Sequence, residues 1–403
     1  MQPASNPMSG DHWTLVRNAR QLLTLRGSSG PRRGSDMADL GIVSNGAVLI
    51  QNGVIEDVGP ARRVENLAGA RNAREIDATG RVVMPAFVDA DMALVSPAPS
   101  RQFAERTPDD ESRALRLMSR QRVQAQAAAT AAEWARYGCA TVGAWTPYAT
   151  DMRNIAKVLR THKALQLKPL RIRSIFSPRP DSDVLVSKWL QSVFQKKLAA
   201  VVEFGLDAFP ETLLRQAAIA AAGLGYAIRL RSSAPLQPDD LRLALSAGAI
   251  AIVGPNDCRP EFHCALASAG CVRVIPATQA LDKAFPPAAD LREAIDAGAA
   301  IALASSYRAH ETSSFNMQFL LYLAVDRLGL TAEEAITATT WNAACSLRYS
   351  HQVGSLEPGK TADLLLMDVP DYRDLPRRAG HHDVGLLVRG GNVIFQAAGL
   401  IAD

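Results

Sequence analysis

The chain has 403 residues, 48% apolar and 21% charged, with 44 Lys and Arg against 40 Asp and Glu. That length holds two domains or one large barrel with an appendage, and the composition is that of an ordinary globular protein. The near balance of charge, without clustered basic and aromatic residues, argues against nucleic acid as a partner, and no apolar run is long enough to span a membrane. Residues Met1 to His12 show no apolar core behind a charged start, so no signal peptide is expected. Five cysteines without a C-x-x-C pair read as reduced thiols of a cytoplasmic protein, with Cys139 and Cys345 as small core residues.

In chain order, Trp13–Thr24 alternates as a strand and residues 27–36 form a loop rich in Gly, Ser, Pro and Arg. Gly46–Gly53 and Val54–Gly59 are apolar runs meeting at Asn52-Gly53, a strong hairpin signal. Arg74–Asp77 and Arg81–Met84 continue the β texture. Residues 111–137 then read as one long Ala- and Arg-rich helix. Short apolar strands follow in alternation with helices. The strands are expected at 86–90, 139–142, 170–176, 199–203, 226–230, 249–253, 271–276 and 299–304. Eight such units imply parallel strands with helical crossovers, and they fit a closed (β/α)8 barrel of the TIM type better than an open sheet. No glycine-rich nucleotide loop follows any strand. Helices near 313–328 and 331–346 come next, the second opening at Thr331-Ala-Glu-Glu334 with a capping residue and early acid. β texture returns at Gly354–Lys360, Ala362–Asp368, Val384–Val388 and Asn392–Phe395. The predicted organisation is a barrel over residues 84–352 and a small β-sandwich formed by both chain termini, 13–83 and 353–403.

With Met84-Pro-Ala-Phe-Val-Asp89 and Gly354-Ser-Leu-Glu-Pro-Gly-Lys-Thr-Ala-Asp363, this organisation resembles the metal-dependent amidohydrolase superfamily. The segments Ala362–Pro376, Ala19–Thr24, Ala302–Ser305, Leu330–Ile336 and Asn342–Ala344 resemble imidazolonepropionases within it. The resemblance covers residues 14–397 and implies hydrolysis of a carbon–nitrogen bond in a cyclic amide, as in histidine degradation. Zn or Fe would activate the attacking water there.

The ligand positions that the resemblance implies hold other residues. Asp91 and Ala93 stand where the first strand should bring two histidines, and Arg231 and Gly254 where two later strands should each bring one. Ser306 replaces the aspartate of the last strand, and Ala234 the carboxylate that shuttles protons. The family's substrate-pocket arginine and tyrosine fall at Arg101 and Tyr148, its Glu and Lys at Gly143 and Trp145, and a histidine at Arg179. Arg101, Tyr148 and Arg179 are therefore candidate ligand-binding positions. No metal and no cofactor is expected.

A guanidinium at 231 puts a permanent cation where a divalent ion should sit, and Asp91 is its natural partner. The competing expectation has Arg231 extend to solvent. His310 with Asp91 and Asp257 or Cys258 is the one set that could rebuild a metal site. His381-His382 reads as part of a solvated loop. These positions point to an amidohydrolase-fold protein without metal-dependent hydrolysis, acting as a partner subunit, a regulator or a binder of a small anionic metabolite. The alternative is a hydrolase of cyclic amides with a rearranged site. A homodimer, or a heterodimer with an active relative, is the expected assembly.

Overall fold

A computed structural model describes residues 12–96, 108–147, 151–179, 183–254, 259–281, 288–308 and 316–398. The N-terminal strands are β1 (Trp13–Leu23), β2 (Ile42–Gln51), β3 (Val54–Pro60), β4 (Arg74–Asp77) and β5 (Val82–Pro85). The C-terminal ones are β14 (Leu364–Met367), β15 (Val384–Arg389) and β16 (Asn392–Gln396). They join in one sheet of order β16-β15-β14-β5-β1-β2-β3, with β4 against β1. β14 pairs antiparallel with β5, Leu364 opposite Pro85, which ties the two ends of the chain together. Val16, Leu22, Val48, Val83, Leu364 and Leu386 share one buried cluster, so the sheet folds over itself as a small sandwich. The expected hairpin is present, and Asn52 takes a positive φ of 51° at its turn, as an Asn-Gly turn requires. Gly354–Lys360 forms turns instead of a strand.

The second sheet is the barrel. Its strands are β6 (Phe87–Met92), β7 (Cys139–Ala144), β8 (Arg171–Phe176), β9 (Val201–Gly205), β10 (Ala227–Arg231), β11 (Ala251–Val253), β12 (Val272–Pro276) and β13 (Ile301–Ala304). All pair in parallel and in chain order. The ring is completed where Met92 bridges Tyr307 and the Ala93 amide donates to the Tyr307 carbonyl at 2.8 Å. Each strand lies within two residues of its expected position, because each is a short apolar run stopped by polar or glycine residues. The protein is thus a (β/α)8 barrel carrying a β-sandwich built from both termini.

Two expected helices are each split. The stretch 111–137 holds Pro108–Leu117 and Arg120–Arg136. Ser119 leaves the helical conformation and accepts from the Arg122 amide at 3.2 Å, capping a fresh start. Lys157 Nζ donates to the carbonyls of Leu115, Arg116 and Met118, which ends the first piece. The stretch 331–346 divides at Thr340, whose hydroxyl turns back to the Ile336 carbonyl at 2.6 Å. Among the described residues no helix is long and apolar enough to cross a membrane.

Candidate functional site at the barrel mouth

Charged residues stand inside otherwise apolar strand text on β6, β9 and β10. Alternation along a strand puts Asp89 and Asp91 on one face of β6, and Arg229 and Arg231 on one face of β10. β6 and β10 lie on opposite sides of the ring, with β9 beside β10. The arginines therefore reach across the interior. Arg231 Nη2 donates to Asp91 Oδ1 at 2.5 Å, and its Nε donates to Glu203 Oε1 at 2.7 Å. Arg229 Nε donates to Glu203 Oε2 at 3.2 Å, its Nη1 to the Ala90 carbonyl at 2.8 Å, and its Nη2 to Asp91 Oδ1 at 3.4 Å. Ser306, just beyond β13, donates its hydroxyl to Asp91 Oδ2 at 2.9 Å.

Two carboxylates and two guanidinium groups thus neutralise one another where water is nearly excluded. Asp91 and Arg229 are fully buried, Glu203 almost so, and Arg231 keeps about a fifth of its side chain exposed. Burial alone would lower the Arg231 pKa, but Asp91 and Glu203 outweigh it and raise the value above the ordinary guanidinium range. Arg231 lies 3.9 Å from the ring centroid of the buried Trp145, and Arg308 lies over the same ring at 4.8 Å.

Asp89 belongs to a separate arrangement below. It is fully buried and accepts from Trp134 Nε1 at 2.9 Å, the Ser305 hydroxyl at 2.5 Å, the Ser305 amide at 3.0 Å and the Asp91 amide at 3.3 Å. Burial pushes its pKa up to about 6, with the Ser305 and Trp134 donors pulling the other way. Asp89 thereby links β6 to the residue following β13 and helps close the ring.

The positions that would hold the family's metal offer almost no ligand atoms. Ala93 offers no donor atom and its buried amide is engaged with Tyr307. Gly254 could not carry a ligand, because a Cβ there would lie 2.4 Å from the Ser232 carbonyl oxygen. Ala234 is an exposed methyl group. At an effective dielectric near 20, the Arg231 guanidinium by itself would repel a divalent ion about 4 Å away by roughly 8 kcal/mol, and it already occupies the Asp91 and Glu203 oxygens that could attract one. Among the described residues no group of three or more His, Cys, Asp or Glu converges as a metal site. The residues present do not fit the metal.

The expected Asp91–Arg231 pair is formed, and Ser306 joins it. Arg179 is half-buried just past β8. Arg101, Tyr148, Asp257, Cys258 and His310 lie outside the described residues. His382 contacts the Arg136 carbonyl through Nε2 at 2.8 Å, on the helix leading to β7. Glu203, Arg229, Ser305 and Arg308 escaped the sequence reading. The signal for two of them was available: arginines two apart in Ala227–Arg231, and a lone acid in Val201–Gly205, are charges on the inward face of strands.

The Amidohydrolase family profile matches residues 278–394. An imidazolonepropionase of Solibacter usitatus is 31% identical over 416 residues, covering 95% of this chain and 99% of the relative. This chain belongs to the amidohydrolase superfamily and is imidazolonepropionase-like. A second imidazolonepropionase, from Brevibacillus brevis, is 29% identical over 94% of this chain and 97% of its own. Among solved structures, Aspergillus niger ochratoxinase superposes with a TM-score of 0.74 at 15% identity, covering 97% of each chain. A triazine hydrolase variant superposes with 0.73 at 17% identity, covering 97% of this chain and 96% of that one. At such identities these two speak for the fold alone. The imidazolonepropionase-like members thus include a chain whose barrel centre is an ion-pair network.

Proposed function

We propose that this imidazolonepropionase-like protein binds a small anionic metabolite at its barrel mouth and does not carry out metal-dependent hydrolysis. One observation carries the reading: Arg231 bridges Asp91 and Glu203 at the centre, where the superfamily's chemistry needs an ion and an activated water. The exposed fifth of Arg231, with Arg308 over the same buried indole, offers positive charge. Neighbouring guanidinium groups suit a small carboxylate. In this reading the protein works in the cytoplasm as a binder or regulator, alone as a homodimer or with an active relative.

A second reading is a hydrolase acting on a carbon–nitrogen bond of a cyclic amide through a rearranged site. Relatives named imidazolonepropionase that match nearly the whole chain support it, and more directly than they support a silent protein. One experiment separates the two. The purified protein is analysed for bound zinc and iron and assayed for hydrolysis of imidazolone propionate and other cyclic amides. The first reading expects metal far below one equivalent, no turnover, and saturable binding of the imidazolone carboxylate that is lost in Arg231→Ala. Stoichiometric metal with turnover, or turnover that Arg231→Ala abolishes, would establish the second.

A further inference from the structure

A cavity of about 610 Å³ lies away from the barrel mouth, at the N-terminal ends of β8 and β9. Its origin is a parting of these strands: they pair only at Ile175–Val201 and Phe176–Val202, so Arg171–Ser174 have no partners on β9. The space is walled by Ile172 and Arg173 from β8, Phe194 from the helix Asp183–Gln195, and Lys197 and Leu198 from the approach to β9. Its remaining side is the end of the helix Met152–Leu165, with His162 and Lys163.

Two features point to a ligand. Among the described residues lining it, Lys163, Arg173 and Lys197 are cationic and none is acidic. In addition, His162 in the wall is fully buried and neither of its ring nitrogens has a hydrogen-bond partner. A buried imidazole with both nitrogens idle is rare, because it forfeits its hydration without replacement. The volume is in the range of small-molecule sites, and Ile172, Phe194 and Leu198 give the walls an apolar character.

We propose that this lateral cavity is a second binding site, for an amphipathic monocarboxylate: an apolar body inside, the carboxylate at the lysine rim, and a polar atom within reach of His162. Burial holds His162 neutral, its pKa lowered to about 3, so the ring can donate from one nitrogen and accept at the other. The site is independent of the barrel mouth, and its test does not depend on what the mouth binds.

The probes are 8-hydroxyoctanoate, octanoate, octanol and acetate, titrated into the full chain by calorimetry, with the imidazole resonances of His162 followed by NMR in unmutated protein. 8-Hydroxyoctanoate, whose distal hydroxyl is the polar atom for His162, is expected to bind with one-to-one stoichiometry and to shift the His162 resonances, and octanoate, lacking that hydroxyl, should bind more weakly. Octanol, lacking the charge, and acetate, lacking the body, should each bind at least about tenfold more weakly. Ala200→Trp, at the exposed rim, should block the cavity and weaken 8-hydroxyoctanoate about tenfold or more, and Lys197→Ala about fivefold. Binding of several 8-hydroxyoctanoates per chain, unchanged affinity in Ala200→Trp, or His162 resonances that do not move would overturn the proposal. No saturation below about 10 mM, a ceiling corresponding to very weak affinity, would do the same.

Discussion

Arg231 and Asp91 meet 2.5 Å apart across the barrel, one from β10 and the other from β6 on the opposite side of the ring. In a metal-dependent relative, these positions would both turn toward one ion. Here the cation is part of the chain. Charge neutrality at the centre is kept by a side chain that cannot be chelated away or deprotonated at any working pH.

Removing that side chain should be costly. Arg231→Ala leaves Asp91 and Glu203 facing one another in a buried space, with Arg229 as their remaining cation. The expected loss is about 3 kcal/mol in urea unfolding, since breaking a buried pair strands a charge. Arg231→Ala combined with Asp91→Ala should cost less than the sum of the two single changes, by about 1–3 kcal/mol.

Asp89 should make stability fall with rising pH through the mildly acidic range. Its native pKa of about 6 lies above the ordinary 3.8, so the native state holds the proton over a window in which the unfolded chain has released it. The contribution is complete below pH 3.8 and is lost as pH rises through 6. Its full size is about 3 kcal/mol. Unfolding curves of the protein and of Asp89→Asn, compared from pH 4 to 7, should show the advantage of the unmutated chain shrinking by up to that amount.

The barrel and the terminal sandwich are joined by a buried ion pair. Arg171 at the start of β8 donates to Asp363 at 3.3 Å, and Asp363 also accepts from the Gly390 amide at 2.8 Å. Both side chains are nearly inaccessible. Asp363→Ala should therefore cost about 3–5 kcal/mol. Protease sensitivity should appear first around β14–β16, which hydrogen exchange with mass spectrometry would localise.

Gly254 offers a steric test of how completely the old ligand position has closed. Its backbone amide donates to the Val274 carbonyl, and the Ser232 carbonyl stands 2.4 Å from where a Cβ would go. Gly254→Ala should destabilise by about 1–3 kcal/mol, the range for overpacking a rigid site. Gly254→His should cost at least as much and gain no zinc affinity by competition with a chromogenic chelator.

The sequence by itself determined the architecture. Eight apolar runs stopped by polar or glycine residues, with amphipathic helices between them, leave a parallel barrel as the simplest way to bury every strand. The Asn52-Gly53 turn and the apolar runs at both ends account in the same way for the sandwich. Local periodicity was sufficient because each of these elements is specified by its own residues. The loss of the ligand residues was legible too, since it is a matter of residue type at a strand end.

What replaced them was legible only in part: residue types at 91 and 231 pointed to their ion pair, but not to the network around it. Glu203 and Arg229 stand out in linear text as charges on inward strand faces, but the text does not say which partners they meet. Their meaning arises because ring closure brings β6 opposite β10 and seats β9 beside it, which makes residues over a hundred positions apart share one dry space. Likewise, only the parting of β8 from β9 turns His162 from a helix residue into the wall of a cavity. Periodicity fixes which way a side chain faces along its own strand or helix. Which partner it meets depends on strand order and closure, and those are properties of the assembled chain.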